Sequence, residues 1–188
     1  MPSAITHAAV GAIAALAFAP SGAPRHLGVL AVVCSVLPDL DVISFFYRLP
    51  YHHLFFHRGF FHSLFFSLIV GLAIMTIFFR DQNHFPRRSF SFFVFFFLLT
   101  ASHGLLDALN SGGYGVALFL PFDDSRYSFP WTPLPISPIR VRSFFSPWGW
   151  TVVKSELLWI WLPSLFLVFI FRWVRTAPAE SGKRRARL

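Results

Sequence analysis

His7, Asp39, Asp41, His57, His62, His103 and Asp107 are the side-chain types that hold divalent metals, and each lies within or at the end of a long apolar run. An ionisable group at membrane depth costs at least a few kcal/mol. Before Asp107, the only other acidic residue is Asp81, in a polar stretch. A shared cation would offset the burial of so many imidazoles and carboxylates. This nitrogen and oxygen donor set suits zinc, with manganese or iron as further options, in one, two or more ions. Such a centre can activate water for hydrolysis, and two ions can stabilise in-line displacement at phosphorus.

The local spacings support a built site to different degrees. His103 and Asp107 are four apart. On a helix they share a face and can reach one ion, although a His–Asp hydrogen bond tying two helices together would use the same pattern. In His57-Arg58-Gly59-Phe60-Phe61-His62-Ser63 the two histidines are five apart. An unbroken helix would splay them by about 140°. Gly59 permits a turn, so His57 is expected before the helix and His62 in its first turn. Arg58 cannot bind a cation, but its guanidinium suits a phosphate or carboxylate of a substrate. In Leu37-Pro38-Asp39-Leu40-Asp41 the carboxylates are two apart, and Pro38 disturbs the backbone enough to let both approach one centre. One of Asp39 and Asp41 can ligate while the other orients a histidine or accepts a proton from water, so these two and Arg58 are the candidates for the chemistry itself. His7 alone would be an ordinary packing residue. His52 and His53 look interfacial.

These residues need elements that bring them together. Five apolar segments are predicted, at about Ala4 to Ala19, Leu27 to Tyr47, Phe60 to Phe79, Phe90 to Leu109 and Leu157 to Val174. Each approaches the ~20 residues that cross a bilayer as a helix. The expectation is an all-α polytopic bundle of about five spans. Residues 1–176 would form one membrane domain and 177–188 a disordered basic tail. Successive spans alternate in direction. His7 starts the first, Asp39 and Asp41 are late in the second, His57 and His62 open the third, and His103 and Asp107 close the fourth. All seven therefore fall on one side. At ~1.5 Å per residue, His7, Asp39 and His103 sit roughly 18–20 Å from the far ends of their helices, and His62 and Asp107 roughly 26 Å.

A loop of about 47 residues, rich in Pro, Ser and aromatics, precedes the last span. Its Pro121-Phe122-Asp123-Asp124-Ser125-Arg126 stretch lies on the same side as the seven ligand candidates. Arg126 is a second candidate for holding substrate. Trp131, Trp148 and Trp150 also fit an interfacial aromatic belt. Glu156 opens the predicted last span, either as a further ligand or base or as a carboxylate favoured at a helix N-terminus.

Composition agrees with a membrane protein: 55% of residues are hydrophobic and 26 are Phe, too apolar for a soluble domain of 188 residues. The net charge is +8, concentrated near the C-terminus in Arg172, Arg175 and Lys183-Arg184-Arg185-Ala186-Arg187. Beside a span such a tail marks the cytoplasmic side and touches anionic lipid; nucleic-acid binding is not expected. Ten basic residues lie on the side away from the ligand candidates and six on their side. This places the C-terminus inside and the site on the outer face. Cys34 is the only cysteine, which excludes an intrachain disulfide and a thiolate-rich zinc site. The first apolar run lacks a basic start and carries Thr6-His7, so it reads as a retained span rather than a signal peptide.

Thr6-His7, Leu37-Pro38-Asp39-Leu40-Asp41, His57-Arg58-Gly59-x-x-His62-Ser63, His103-x-x-x-Asp107 and the Pro121-Phe122 to Trp131 segment, in this order, resemble the YdjM-like membrane-bound metal-dependent hydrolases of bacteria and archaea. The resemblance covers nearly the whole chain. It implies a small multi-pass inner-membrane protein with a metal-dependent hydrolase site. The early His, Pro-Asp and His-x-x-x-Asp order is more loosely similar to zinc-dependent phospholipase C, which implies a helical scaffold around a multinuclear zinc centre. The further His and Glu ligands of those soluble enzymes have no clear counterpart here. The expected activity is hydrolysis of a phosphoester in a lipid or lipid-linked substrate, with membrane lipid as the surrounding partner. The alternative is a non-catalytic or transport protein that binds a divalent metal with the same cluster.

Overall fold

A computed structural model describes residues 1–18, 24, 26–79, 86–138 and 140–176. Ala19 at the end of the first apolar segment, the charges Arg25, Arg80 and Asp81, and the 177–188 tail lie outside the described residues.

The described chain is helical, and its only β pairing among those residues is two isolated bridges, Asn110 with Leu134 and Val116 with Tyr127. Helix α1 (Ala4–Phe18) and helix α2 (His26–Val36) pack side by side. Pro38 sits at the start of a 3₁₀ turn, Leu37–Val42, which runs straight into the short helix α3 (Ile43–Phe46). Proline lacks the N–H that a continuing α-helix would use there, so the tighter winding is the local answer to its presence. A loop and a second 3₁₀ turn (Phe60–His62) lead to α4 (Leu64–Phe78), which pairs with α5 (Pro86–Ala108). Helices α6 (Val141–Phe144), α7 (Pro147–Glu156) and α8 (Leu162–Thr176) follow, with a π-helical turn, Leu157–Trp161, joining the last two.

Among the described residues, three continuous helical stretches are long and apolar enough to cross a membrane: His26–Phe46, Arg88–Ala108 and Pro147–Trp173. Ala4–Phe18 and Leu64–Phe78 are apolar but shorter. At 15 residues each they reach roughly 22 Å, less than the ~30 Å hydrocarbon core. The core joins α1, α2, α4 and α5 through Ala15, Leu27, Ala31, Cys34, Val70, Phe79, Phe92, Phe96 and Leu99. Phe79 stacks on Phe92 with ring centroids 4.0 Å apart. Helix α8 turns Leu162, Leu165, Phe166, Leu167, Phe169 and Trp173 outward. So much exposed apolar surface on one helix is a liability in water and ordinary in lipid.

Three local expectations are corrected. The last apolar helix begins at Pro147, not near Leu157. Ser146 caps it by accepting from the Gly149 N–H, and Pro147 occupies the first turn, where its missing N–H costs nothing. The loop before it is correspondingly shorter than 47 residues. His62 closes the 3₁₀ turn ahead of α4, because Ser63 is the N-cap of that helix and accepts from the Phe66 N–H at 3.0 Å. Glu156 ends α7 rather than opening a helix.

The irregular segment after α5 is bound to the bundle by backbone hydrogen bonds. Ala117 donates to Arg58 O at 3.0 Å, Leu64 to Leu118 O at 2.9 Å and Phe129 to Ala108 O at 3.0 Å, while Ser111 donates to Leu134 O at 2.7 Å within the segment. Its own Val116, Ala117 and Leu134 are fully buried. A segment held this way can cover and position a site.

Candidate metal centre

His7 stands in the first turns of α1, Asp39 and Asp41 on the 3₁₀ turn after α2, His62 on the turn before α4, and His103 and Asp107 on consecutive turns of α5. His57 and Arg58 come from the preceding loop. The fold brings all eight side chains into one connected cluster. Asp107 is its hub. Its Oδ1 lies 3.4 Å from His7 Nε2, and its Oδ2 lies 3.4 Å from His62 Nε2 and 3.2 Å from Arg58 Nε. Asp41 holds His57 Nδ1 at 2.6 Å and stands 3.0 Å from His62 Nδ1. Asp39 Oδ1 is 3.4 Å from His103 Nε2, which is itself 3.1 Å from His62 Nε2. The His7 and His103 rings stack at 3.7 Å.

Hydrogen bonding fixes two of the imidazoles. His103 Nδ1 lies 2.8 Å from the Ser35 carbonyl, which can only accept, so Nδ1 carries the proton and the Nε2 lone pair faces the cluster. His57 Nδ1 donates to Asp41 in the same way. A carboxylate behind a histidine is the usual outer support of a metal ligand. Asp41 also accepts from the Arg58 backbone N–H at 3.0 Å, so it ties the 57–58 loop to the turn after α2.

Many buried polar atoms here make no hydrogen bond, although most of them stand 3.0–3.4 Å from an oppositely charged or imidazole group of the cluster. Both nitrogens of His7, both oxygens of Asp39, His62 Nδ1 and both oxygens of Asp107 are in this state. Leaving such groups unsatisfied costs roughly 1–3 kcal/mol each. Two triads have donor atoms within 4.8 Å of one another: His7, His103 and Asp107, and Asp39, His57 and His62. Each combines imidazole nitrogen with carboxylate oxygen, the donor set of zinc, manganese and iron. These residues fit a divalent cation, and satisfying the orphaned atoms is what a cation would do.

The backbone beneath is specialised. Gly59 has φ −92° and ψ −130°, and a Cβ there would come within 2.5 Å of Leu54 O and 2.6 Å of Phe56 O. The left-handed residue, however, is Arg58, at φ 66°. A bulky residue in that region is an outlier, costing on the order of 1–3 kcal/mol. Its N–H bond to Asp41 and its guanidinium contact with Asp107 hold it there. Arg126 donates to the carbonyls of Tyr51, His57 and Arg58 at 3.2–3.3 Å and lies over the Tyr51 ring. It braces the loop that presents His57 and Arg58.

Glu156 is buried against the residues that precede His7 in the chain. Its carboxylate accepts from the Ser3 N–H, from Ser3 Oγ at 2.7 Å and from Thr6 Oγ1 at 2.8 Å, while Trp161 Nε1 donates to Thr6 Oγ1 at 2.9 Å. The π-helical turn that begins at Leu157 follows directly. Glu156 thus anchors the start of α1 next to His7. Glu156→Ala strands three buried donors and should lower the detergent-solubilised protein's unfolding midpoint by several degrees. Glu156→Gln, which keeps an acceptor, should lose less. Thermal unfolding of both variants checks this.

Ser35, Ser44 and Asn110 were not singled out by sequence. Ser35 Oγ donates to His7 O at 2.8 Å, and Ser44 Oγ accepts from the His57 N–H at 3.1 Å. Asn110, three residues after Asp107, is 4% exposed, and neither its Oδ1 nor its Nδ2 has a partner. Its i+3 register from Asp107 was the available signal.

A bundle of apolar helices enclosing a His/Asp cluster at one end defines a polytopic membrane protein with a cluster of metal-binding type. The sequence pattern of the YdjM inner membrane protein family matches residues 1–179, and the chain belongs to that family. It is 35% identical over 175 residues to the inner membrane protein YbcI of Escherichia coli (strain K12), a match covering 93% of this chain and 99% of that protein. No solved structure matches the chain at a significant level. It is a multi-pass inner-membrane protein.

Proposed function

We propose that this protein is a metal-dependent hydrolase acting on a phosphoester of a lipid or lipid-linked substrate. The reading rests on one observation: His7, Asp39, His62 and Asp107 carry seven buried ligand-type atoms without a hydrogen bond, and these residues fall in two triads whose donor atoms lie within 4.8 Å of one another. A bound divalent cation would supply Lewis-acid chemistry, lowering the pKa of water and offsetting charge on a phosphoryl group. His7, His62, His103, Asp39 and Asp107 are the residues to hold it, with His57 completing the second triad. Asp41 keeps His57 oriented. Asp39, with two unpartnered carboxylate oxygens, is the group to accept a proton from attacking water.

Arg58 favours hydrolysis over ion transport. A fixed guanidinium 3.2 Å from Asp107 opposes the passage of cations, whereas an oxyanion-handling site needs one. A lipid is favoured by an apolar groove of about 940 Å³ between α1 and α5. Its lining includes Val10 and Leu99, each about one turn from His7 and His103, and extends to Arg88. The test is a screen of metal-replete protein against phospholipids, lipid-linked phosphates and generic phosphodiesters, with His103→Ala as the control. Equal turnover by the two on every substrate removes the hydrolase reading.

The charge split, ten basic residues opposite the cluster and six beside it, supports a cytoplasmic C-terminus and a site on the outer face. A reporter fused after Leu188 should be active only in its cytoplasmic form. Activity of a periplasmic reporter there would reverse the orientation.

A further inference from the structure

Nine buried side-chain nitrogen and oxygen atoms have no hydrogen-bond partner among the described residues. Seven belong to the four cluster residues already named. The other two are the Oδ1 and Nδ2 of Asn110. A carboxamide carries two donors and an acceptor with two lone pairs, and native interiors rarely leave both ends unused. Asn110 is 4% exposed, so solvent does not serve it.

Its position connects it to the cluster. Asn110 follows the end of α5 by two residues, and its N–H donates to Asp107 O at 3.3 Å, so a turn ties it to the last winding of the helix that carries His103 and Asp107. Two residues later, Gly112 O accepts from Arg58 Nη1 at 3.3 Å. In the chain Asn110 stands between Asp107, whose carboxylate Arg58 Nε touches, and Gly112, whose carbonyl Arg58 Nη1 touches. Its backbone is pinned as well, because it bridges to Leu134 and its neighbour Ser111 donates to Leu134 O. A rigid backbone that carries an unengaged buried amide, in the segment whose Asp107 and Gly112 meet a guanidinium, has the parts of a preorganised oxyanion subsite.

We infer that Asn110 is a substrate-orienting residue that, with Arg58, binds a tetrahedral oxyanion, phosphate or a phosphoryl group, at the metal centre. Nδ2 donates to a phosphoryl oxygen, and Oδ1 accepts from a hydroxyl or water on the same ligand. This rests on the metal-centre reading and adds the group that fixes the orientation of the ligand. Asn110 is not itself a metal ligand, so metal content and anion binding separate the two ideas.

The probe is inorganic phosphate, titrated into full-length, zinc-loaded protein in detergent and followed by calorimetry, with zinc per chain measured on the same samples. Wild type should bind phosphate only when loaded. Asn110→Ala should weaken that binding about tenfold with zinc content unchanged. Asn110→Asp has the same shape, so it guards against a folding artefact. Its added negative charge should abolish phosphate binding while zinc is retained. Four outcomes overturn the inference: unchanged phosphate affinity in Asn110→Ala, undiminished affinity in Asn110→Asp, zinc loss in step with phosphate loss, or no phosphate binding by zinc-loaded wild type. In the last case the metal centre stands without it. Wild type that takes up no zinc removes both readings.

Discussion

Asp107→Ala should strip the protein of most of its metal. Asp107 is the one carboxylate that touches His7, His62 and Arg58 together, and both its oxygens lack hydrogen-bond partners. Its loss removes a ligand and also leaves the Arg58 cation without its partner beside the remaining imidazoles. Truncating one member of a buried charge pair costs roughly 3–5 kcal/mol through the charge left behind. Removing only an outer-shell partner of a metal ligand already lowers affinity tenfold to a hundredfold. The direct loss of a ligand should exceed that. Asp107→Asn keeps the shape and one oxygen, and should retain an intermediate amount. His62→Ala should also lower occupancy, because His62 contacts both Asp41 and Asp107 and belongs to the second triad. Elemental analysis of protein purified without chelators gives metal per chain. Wild type indistinguishable from buffer, or Asp107→Ala equal to wild type, would end the metal-centre reading.

Much of this arrangement was legible because membrane spans alternate in direction. Given the helices, the positions of His7, Asp39, His62 and Asp107 along them required a common end, and the cluster is found there. The 3.6-residue repeat placed His103 and Asp107 together for the same local reason. The helix boundaries were harder. Ser146-Pro147 is a plain start signal, but the following Pro147–Glu156 stretch is polar and Trp-rich, so hydropathy alone assigned it to the loop. The 3₁₀ turn at Phe60–His62 has no periodicity of its own, and only the Ser63 cap separates it from α4. Sequence also assigned the unusual backbone to Gly59, whereas the left-handed residue is Arg58, forced by tertiary contacts with Asp41 and Asp107. Glu156 was misplaced because its partners, Ser3 and Thr6, lie about 150 residues away, beyond any local pattern. Arg126 was a candidate for substrate on charge alone. Its three bonds to carbonyl oxygens come from loop closure, which spacing does not encode.

Arg58→Ala should separate catalysis from metal binding. Arg58 is 7% exposed, contacts Asp107 through Nε and Gly112 O through Nη1, and cannot ligate a cation. If the protein turns over a phosphoester, losing this guanidinium removes a charge-assisted contact worth roughly 1.5–3 kcal/mol, a fall in turnover on the order of tenfold to a hundredfold. Metal content should hold or rise, because a positive charge beside a carboxylate of the centre has gone. Arg58→Lys should recover part of the loss by restoring the charge without the planar fork. Arg58→Gly offers a control of the opposite kind: it relieves the left-handed backbone, so it should be at least as stable as Arg58→Ala while being no more active. Turnover on whichever phosphoester wild type hydrolyses, with zinc measured on each preparation, provides the comparison. Should Arg58→Ala lose its metal as fully as Asp107→Ala, Arg58 would be a structural strut of the cluster, and the argument that this centre handles an oxyanion would lose the residue on which it depends.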